Sequence, residues 1–250
     1  MVGMVTVEER NRLRDSLIEA ARADERITGA ALTGSASVGA EDQWSDVDLA
    51  FGVEGDVDEV IGDWTELMYR DHGAVHHTDV RFRSTVYRVF LLDNTLQVDI
   101  AFAPVQEFGA LAPTFRLVFG TAREQPQPGP VDPVPLLGMG WLYALHARSS
   151  IERGRVWQAE YMISGLRDHV LALACVRHGL PANQGRGMDE LPAAATEVVS
   201  GALVRSLEIP ELWRAFGVAT DALLIEAELV DAGLAERLAG PLERLSRSAR

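Results

Sequence analysis

The chain has 250 residues, 47% of them hydrophobic and 24% charged, a composition able to bury the core of one large domain or two modest ones. Acidic residues outnumber basic ones 37 to 23, every basic residue is arginine, and the formal charge is −14. Without lysine there is no P-loop lysine, no pyridoxal Schiff base and no kinase strand lysine. The negative balance disfavours a nucleic-acid binder and suits cationic small molecules or proteins as partners.

Residues 8–23 place Leu13, Leu17, Ile18 and Ala21 on one helical face and predict an amphipathic helix. The N-terminus carries Glu8 and Glu9 and does not read as a basic, then apolar, leader. Residues 27–32 read as a buried strand stopped by Thr33-Gly34-Ser35, with a loop of small and polar residues up to Ser45. A strand over 46–53, a helix over 57–69 and strands over 78–83, 86–92 and 96–102 follow, the last two joined by an Asp93-Asn94 turn. The fold class is α+β, a mixed sheet flanked by helices.

Residues 124–135 hold five prolines in twelve positions and read as a stiff, extended crossover. Beyond them the pattern is helical over 136–150, 155–178, 191–207, 209–227 and 232–247, with Gly179 and Pro181 stopping the second of these. The expected organisation is a catalytic domain over 1–123, the crossover over 124–135 and a helical domain over 136–250. Cys175, the single cysteine, lies in an apolar run and reads as a buried structural thiol, and its solitude points to a reducing, cytoplasmic location. No stretch approaches the ~20 apolar residues of a membrane span.

The chemistry gathers around Gly34-Ser35, Asp46-Val47-Asp48 and Asp99. Alternation on a strand gives Asp46 and Asp48 one face and sends Val47, Leu49 and Phe51 to the other. In 96–102 it likewise sets Leu96, Val98, Ile100 and Phe102 against Gln97, Asp99 and Ala101. If the two strands are neighbours, three carboxylates converge on one patch, a hard oxygen site suited to magnesium. The Gly34-Ser35 turn offers backbone N–H groups and a hydroxyl to phosphate oxygens without any lysine. Together these point to two metal ions bracing a nucleoside triphosphate for attack by a hydroxyl.

The segment LTGSASVGAEDQWSDVDLAF, residues 32–51, with Asp99 in LQVDIAF, resembles the signature of the polymerase-beta-type nucleotidyltransferase superfamily. A catalytic domain followed by helices is similar to the aminoglycoside and lincosamide nucleotidyltransferases. The resemblance implies that Asp46 and Asp48 ligate both metals and Asp99 the one that activates the acceptor. Gly34 and Ser35 would hold the β- and γ-phosphates of ATP or another nucleoside triphosphate, with Ser37 as a helper. It implies AMP transfer to a hydroxyl of a small, cationic, aminoglycoside-like molecule, with antibiotic resistance as the consequence.

Relatives that modify antibiotics can draw a general base from the helical domain, and Glu160, on one helical face with Ser164, Arg167 and Asp168, is the candidate. Arg167 is a candidate for a phosphate, although its seven-residue spacing from Glu160 also fits helix–helix ion pairing. Arg186, in the loop 183–187, reads chiefly as surface. His72, His76, His77 and Asp79 resemble a metal cluster only by composition, because adjacent strand residues point to opposite faces. GSASVG lacks both the lysine of a P-loop and the glycine of a nucleophile elbow. Trp141, Trp157 and Tyr161 are expected to pack between helices. The alternative function is an antitoxin-type regulatory nucleotidyltransferase that modifies or binds a protein, which the additional helical half argues against. Intact aspartates argue against nucleotide binding without turnover. A homodimer sharing the site is compatible with the sequence.

Overall fold

A computed structural model describes residues 5–127 and 129–246. The chain divides between Gly129 and Pro130 into two compact units.

The first unit opens with α1 (Val7–Ala23), started by a capping box in which the Thr6 hydroxyl accepts the Glu9 N–H and the Glu9 carboxylate accepts the Thr6 N–H. Then come β1 (Ile27–Thr33), the single turn α2 (Gly34–Ser37), β2 (Val47–Val53), α3 (Val57–Asp71), β3 (Ala74–Phe82), β4 (Thr85–Leu92), β5 (Gln97–Pro104) and β6 (Phe115–Gly120). The sheet order is β3-β4-β5-β2-β1-β6. β2 and β5 run parallel, and every other neighbouring pair is antiparallel. A parallel pair needs a crossover, here α3 with the β3–β4 hairpin. The turn expected at Asp93-Asn94 is present, with the Asn94 side chain accepting the Leu96 N–H.

One sheet face is the core. Val47, Leu49, Phe51 and Val53 of β2, with Val98, Ile100 and Phe102 of β5, pack on Leu17 and Ile18 of α1 and on Val60, Trp64 and Met68 of α3. Asp48 and Asp99 therefore lie on the opposite face, as the alternation predicts. That face is built of small residues, Ala31, Ala50, Ala101 and Ala103, with Phe108 laid against it. Phe108 sits there because Gly29 and Gly52 leave room: a Cβ at either would approach its ring to 2.7–2.8 Å.

The second unit is helical: α4 (Pro133–Glu152), α5 (Val156–Arg177), α6 (Ala193–Ser200), α7 (Ile209–Val230) and α8 (Ala232–Ser246). Its core joins Leu137 and Ala144 of α4, Ile163 and Leu166 of α5, and Phe216 and Leu223 of α7. Cys175 is buried, as its apolar run suggests. No helix among the described residues is long and apolar enough to cross a membrane.

Three expectations are corrected. The sequence reading leaves out β6, a six-residue edge strand whose mixed burial blurs any period-two signal. The helix expected over 191–207 stops at Ser200, because Arg214 of α7 donates to the Gly201 and Leu203 carbonyls and Glu211 accepts the Arg205 N–H. Those bonds hold 201–205 as a loop. Finally, Trp141, Trp157 and Tyr161 are 37%, 75% and 63% exposed and are not buried between helices, although the Tyr161 hydroxyl hydrogen-bonds that of Tyr143 on α4. α4 and α5 meet through alanines and through Gly165, over which Tyr143 lies, so the larger rings fall on the outer stripe.

Candidate active site

β2 and β5 pair so that Asp48 stands directly beside Asp99, and Asp46 precedes the first residue of β2. One carboxylate oxygen from each of the three lies within 4.8 Å of the others, the only such group of possible metal ligands among the described residues. All three side chains are half-buried. Burial, with Asp46 nearby, raises the Asp99 pKa above its ordinary value, against a lowering hydrogen bond from Gln97. Three converging carboxylates are costly alone and well matched to a hard divalent cation.

The Gly34 turn closes over this group. Gly34 has φ +56°, and a Cβ there would overlap Asp48 Oδ2 and stand 2.8 Å from its Cγ. The chain's sharp bend and the missing side chain thus let the turn backbone sit against the Asp48 carboxylate. Ser35 is half-buried in α2, whose first turn takes no side-chain cap from Thr33. The Ser37 hydroxyl donates to the Gly34 carbonyl at 2.8 Å and buttresses the turn.

Three neighbours escape the sequence reading. Arg10 of α1, only 3% exposed, donates to the Asp42 and Ser45 carbonyls and pairs with Glu41 at 3.2 Å, pinning the loop that delivers Asp46. Its signal is a charge seven residues from Leu17 on the buried stripe of α1. Arg116 of β6 donates to the Ala36 carbonyl at 3.2 Å and brings a guanidinium to a turn whose own segment, 34–46, has no basic residue. Gln97 donates its amide to Asp46 Oδ2 at 3.3 Å and to Asp99 Oδ1 at 3.0 Å.

Gln97 thus spans two of the three carboxylates of this group, the placement of a residue that orients them toward a cation they could share. Gln97→Ala is expected to weaken Mn²⁺ binding about tenfold with an unchanged melting temperature, read by electron paramagnetic resonance titration. Wild-type affinity in that variant would remove Gln97 from the site.

The remaining candidates are on other elements. Glu160 and Arg167 belong to α5 in the second unit. Glu160 Oε1 accepts the Ser164 hydroxyl at 2.7 Å. Arg167 pairs with its neighbour Asp168 at 2.7 Å, in place of an interhelical partner. His77 bonds the Tyr69 hydroxyl at 3.0 Å, and the histidines form no ligand group among the described residues.

No family model and no curated protein sequence matches this chain. Among solved structures it is similar to an aminoglycoside 6-adenyltransferase from Bacillus subtilis, with 14% identity and a TM-score of 0.41 over 94% of this chain and 97% of that one.

Proposed function

We propose that the protein is a magnesium-dependent nucleotidyltransferase that moves AMP from ATP to a hydroxyl of a small, cationic molecule. The observation that carries this reading is the stacking of the Gly34 turn on Asp48, itself in register with Asp99 and grouped with Asp46. A turn whose first N–H groups take no side-chain cap, beside three carboxylates, joins a place for phosphates to a place for the cations that travel with them.

The acceptor oxygen attacks the α-phosphorus, the bond from that phosphorus to the oxygen bridging to the β-phosphate breaks, and pyrophosphate leaves in line. Asp46, Asp48 and Asp99 would hold two magnesium ions, which supply neutralisation of phosphate charge and acidify the hydroxyl. Gly34 and Ser35 receive the departing phosphates, Ser37 braces the turn, and Arg116 adds positive charge beside it. Arg167 would exchange its bond to Asp168 for a phosphate oxygen. The hydroxyl proton passes to a carboxylate base, for which Glu160 is the candidate; its hydrogen bond from Ser164 fixes one oxygen. The formal charge of −14 favours a polycationic acceptor.

The test is mass-spectrometric: protein, magnesium and mixed nucleoside triphosphates are combined with pooled aminoglycosides, lincosamides and a cell lysate. A small molecule heavier by one nucleoside monophosphate is the expected product. A modified lysate protein would replace this reading with the antitoxin-type one. In the same assay Glu160→Gln is expected to lower kcat by about 10²-fold or more with ATP affinity unchanged. Full kcat in that variant would place the base elsewhere.

A further inference from the structure

β3 is one edge of the sheet, and among the described residues no strand lies against its outer side. It is the longest strand of the sheet, and seven of its nine residues are exposed. A long open edge is a template for another strand, and folded proteins commonly blunt it with a bulge or with charges. Here the bulge falls at the start of the strand, between Ala74 and His76, so residues 76–82 are regular. The opposite edge, β6, is six residues long and pairs with a shifted register.

The charges on the regular stretch do not blunt it against its own copy. Asp79 and Arg81, opposite in sign and two residues apart, lie on one face of the strand, with Val80 on the other. Val80 and Phe82, 57% and 49% exposed, share the face that carries Asp99. Arg81 has one ion pair among the described residues, with exposed Asp58 at 3.9 Å. Asp79 accepts from Arg88 of β4 through both oxygens, and each oxygen keeps a lone pair for a second cation.

In a two-fold antiparallel pairing one residue faces its own copy, and its neighbours pair symmetrically about it. Three centres leave most of 76–82 paired: Thr78, Asp79 and Val80. A centre at Asp79 sets that carboxylate against its copy and Arg81 against His77, both unfavourable. A centre at Thr78 sets Asp79 against His77 and leaves Arg81 and Phe82 opposite the bulge. Burial and the Arg88 charge hold His77 below its usual pKa, so it is neutral at neutral pH and brings no ion pair. A centre at Val80 sets each Asp79 against an Arg81, each Phe82 against a Thr78, and Val80 against itself. We propose that two copies of this chain pair their β3 strands antiparallel about Val80, held by two Asp79–Arg81 ion pairs, so that the two six-stranded sheets join into one. Facing residues of an antiparallel pair point to the same side, so both aspartate groups open on one face of the joined sheet. A ladder over 78–82 of each copy is a small interface, and the dimer is expected to be reversible in the micromolar range.

The experiment uses the full chain. Sedimentation velocity over micromolar concentrations is expected to show a monomer–dimer equilibrium. Arg81→Glu, which sets two carboxylates against each other at both ends of the ladder, is expected to weaken the dimer about tenfold or more with an unchanged melting temperature. Because Cys175 is buried, Val80→Cys introduces the accessible thiol. Oxidation with copper–phenanthroline is expected to join two Val80→Cys chains by a disulfide, since facing residues hold their Cα atoms about 4.5–5.5 Å apart. Thr78→Cys is expected to stay unjoined, its copies offset by about 13 Å along the strands. Val75→Cys, at a position 53% exposed, is expected to stay unjoined as well. A chain that remains monomeric at its highest soluble concentration overturns the proposal. So does a dimer that is unmoved by Arg81→Glu and gives no Val80→Cys disulfide, because it would rest on another face. Joining through Thr78→Cys in place of Val80→Cys overturns the register. A Val80→Cys chain joined in a cell lysate to another protein and never to its copy would give the edge to a foreign strand, and overturns the homodimer.

Discussion

Asp48→Asn is expected to lower turnover by roughly a thousandfold, about 4 kcal/mol of lost transition-state stabilisation, without lowering the melting temperature. Asp48 is the hub of the site: it is the register partner of Asp99, it neighbours Asp46 along the chain, and it lies under Gly34. An amide at that position keeps the shape and removes one of the charges that a divalent ion needs. In the metal-free protein the same change relieves repulsion within a group that fits inside 4.8 Å, so stability should be equal or higher. Thermal melts and steady-state kinetics on one preparation check both halves. Normal turnover with a normal melt would show that the aspartate group is a solvated surface cluster and not a catalytic centre.

Gly34→Ala is expected to cost both fold stability and activity, for separable reasons. The residue has φ +56°, and holding alanine in that region costs about 1–2 kcal/mol. Beyond that strain, the new Cβ would overlap Asp48 Oδ2, so the turn or the carboxylate must move. Turnover is expected to fall about 10²-fold or more, since misplacement on the order of 1 Å suffices for such a loss. Gly39 supplies the control: its φ is +70°, but a Cβ there meets nothing within 4 Å. Gly39→Ala should therefore show the loss in the melt without the loss in Mn²⁺ binding or turnover. Equal activity losses in both variants would mean that the turn acts only through its conformation and not through its contact with Asp48.

Much of the first unit can be read residue by residue. The stripe of Leu17 and Ile18 and the alternation of Val98, Ile100 and Phe102 against Asp99 both express local periodicities. The Gly34-Ser35 turn after a buried strand is equally local. Features that depend on what lies opposite are harder to read. Gln97 sits on the polar side of its strand like any exposed residue, and its bonds to Asp46 and Asp99 exist only because β5 lies beside β2. Arg116 reaches the turn because a short edge strand, β6, pairs with β1. Trp157 and Tyr161 look like packing residues in isolation, yet the helices meet through alanine and glycine and leave them outside.

The α+β class with a helical second half, the facing of the three aspartates and the glycine at the turn are legible along single segments, because side-chain direction follows from periods of 2 and 3.6 residues. That β2 and β5 are parallel neighbours in register and that the turn packs on Asp48 are legible only in the folded chain. Those facts depend on strand order and on which small residues fall side by side, and both are settled by burying the opposite face of the sheet on α1 and α3.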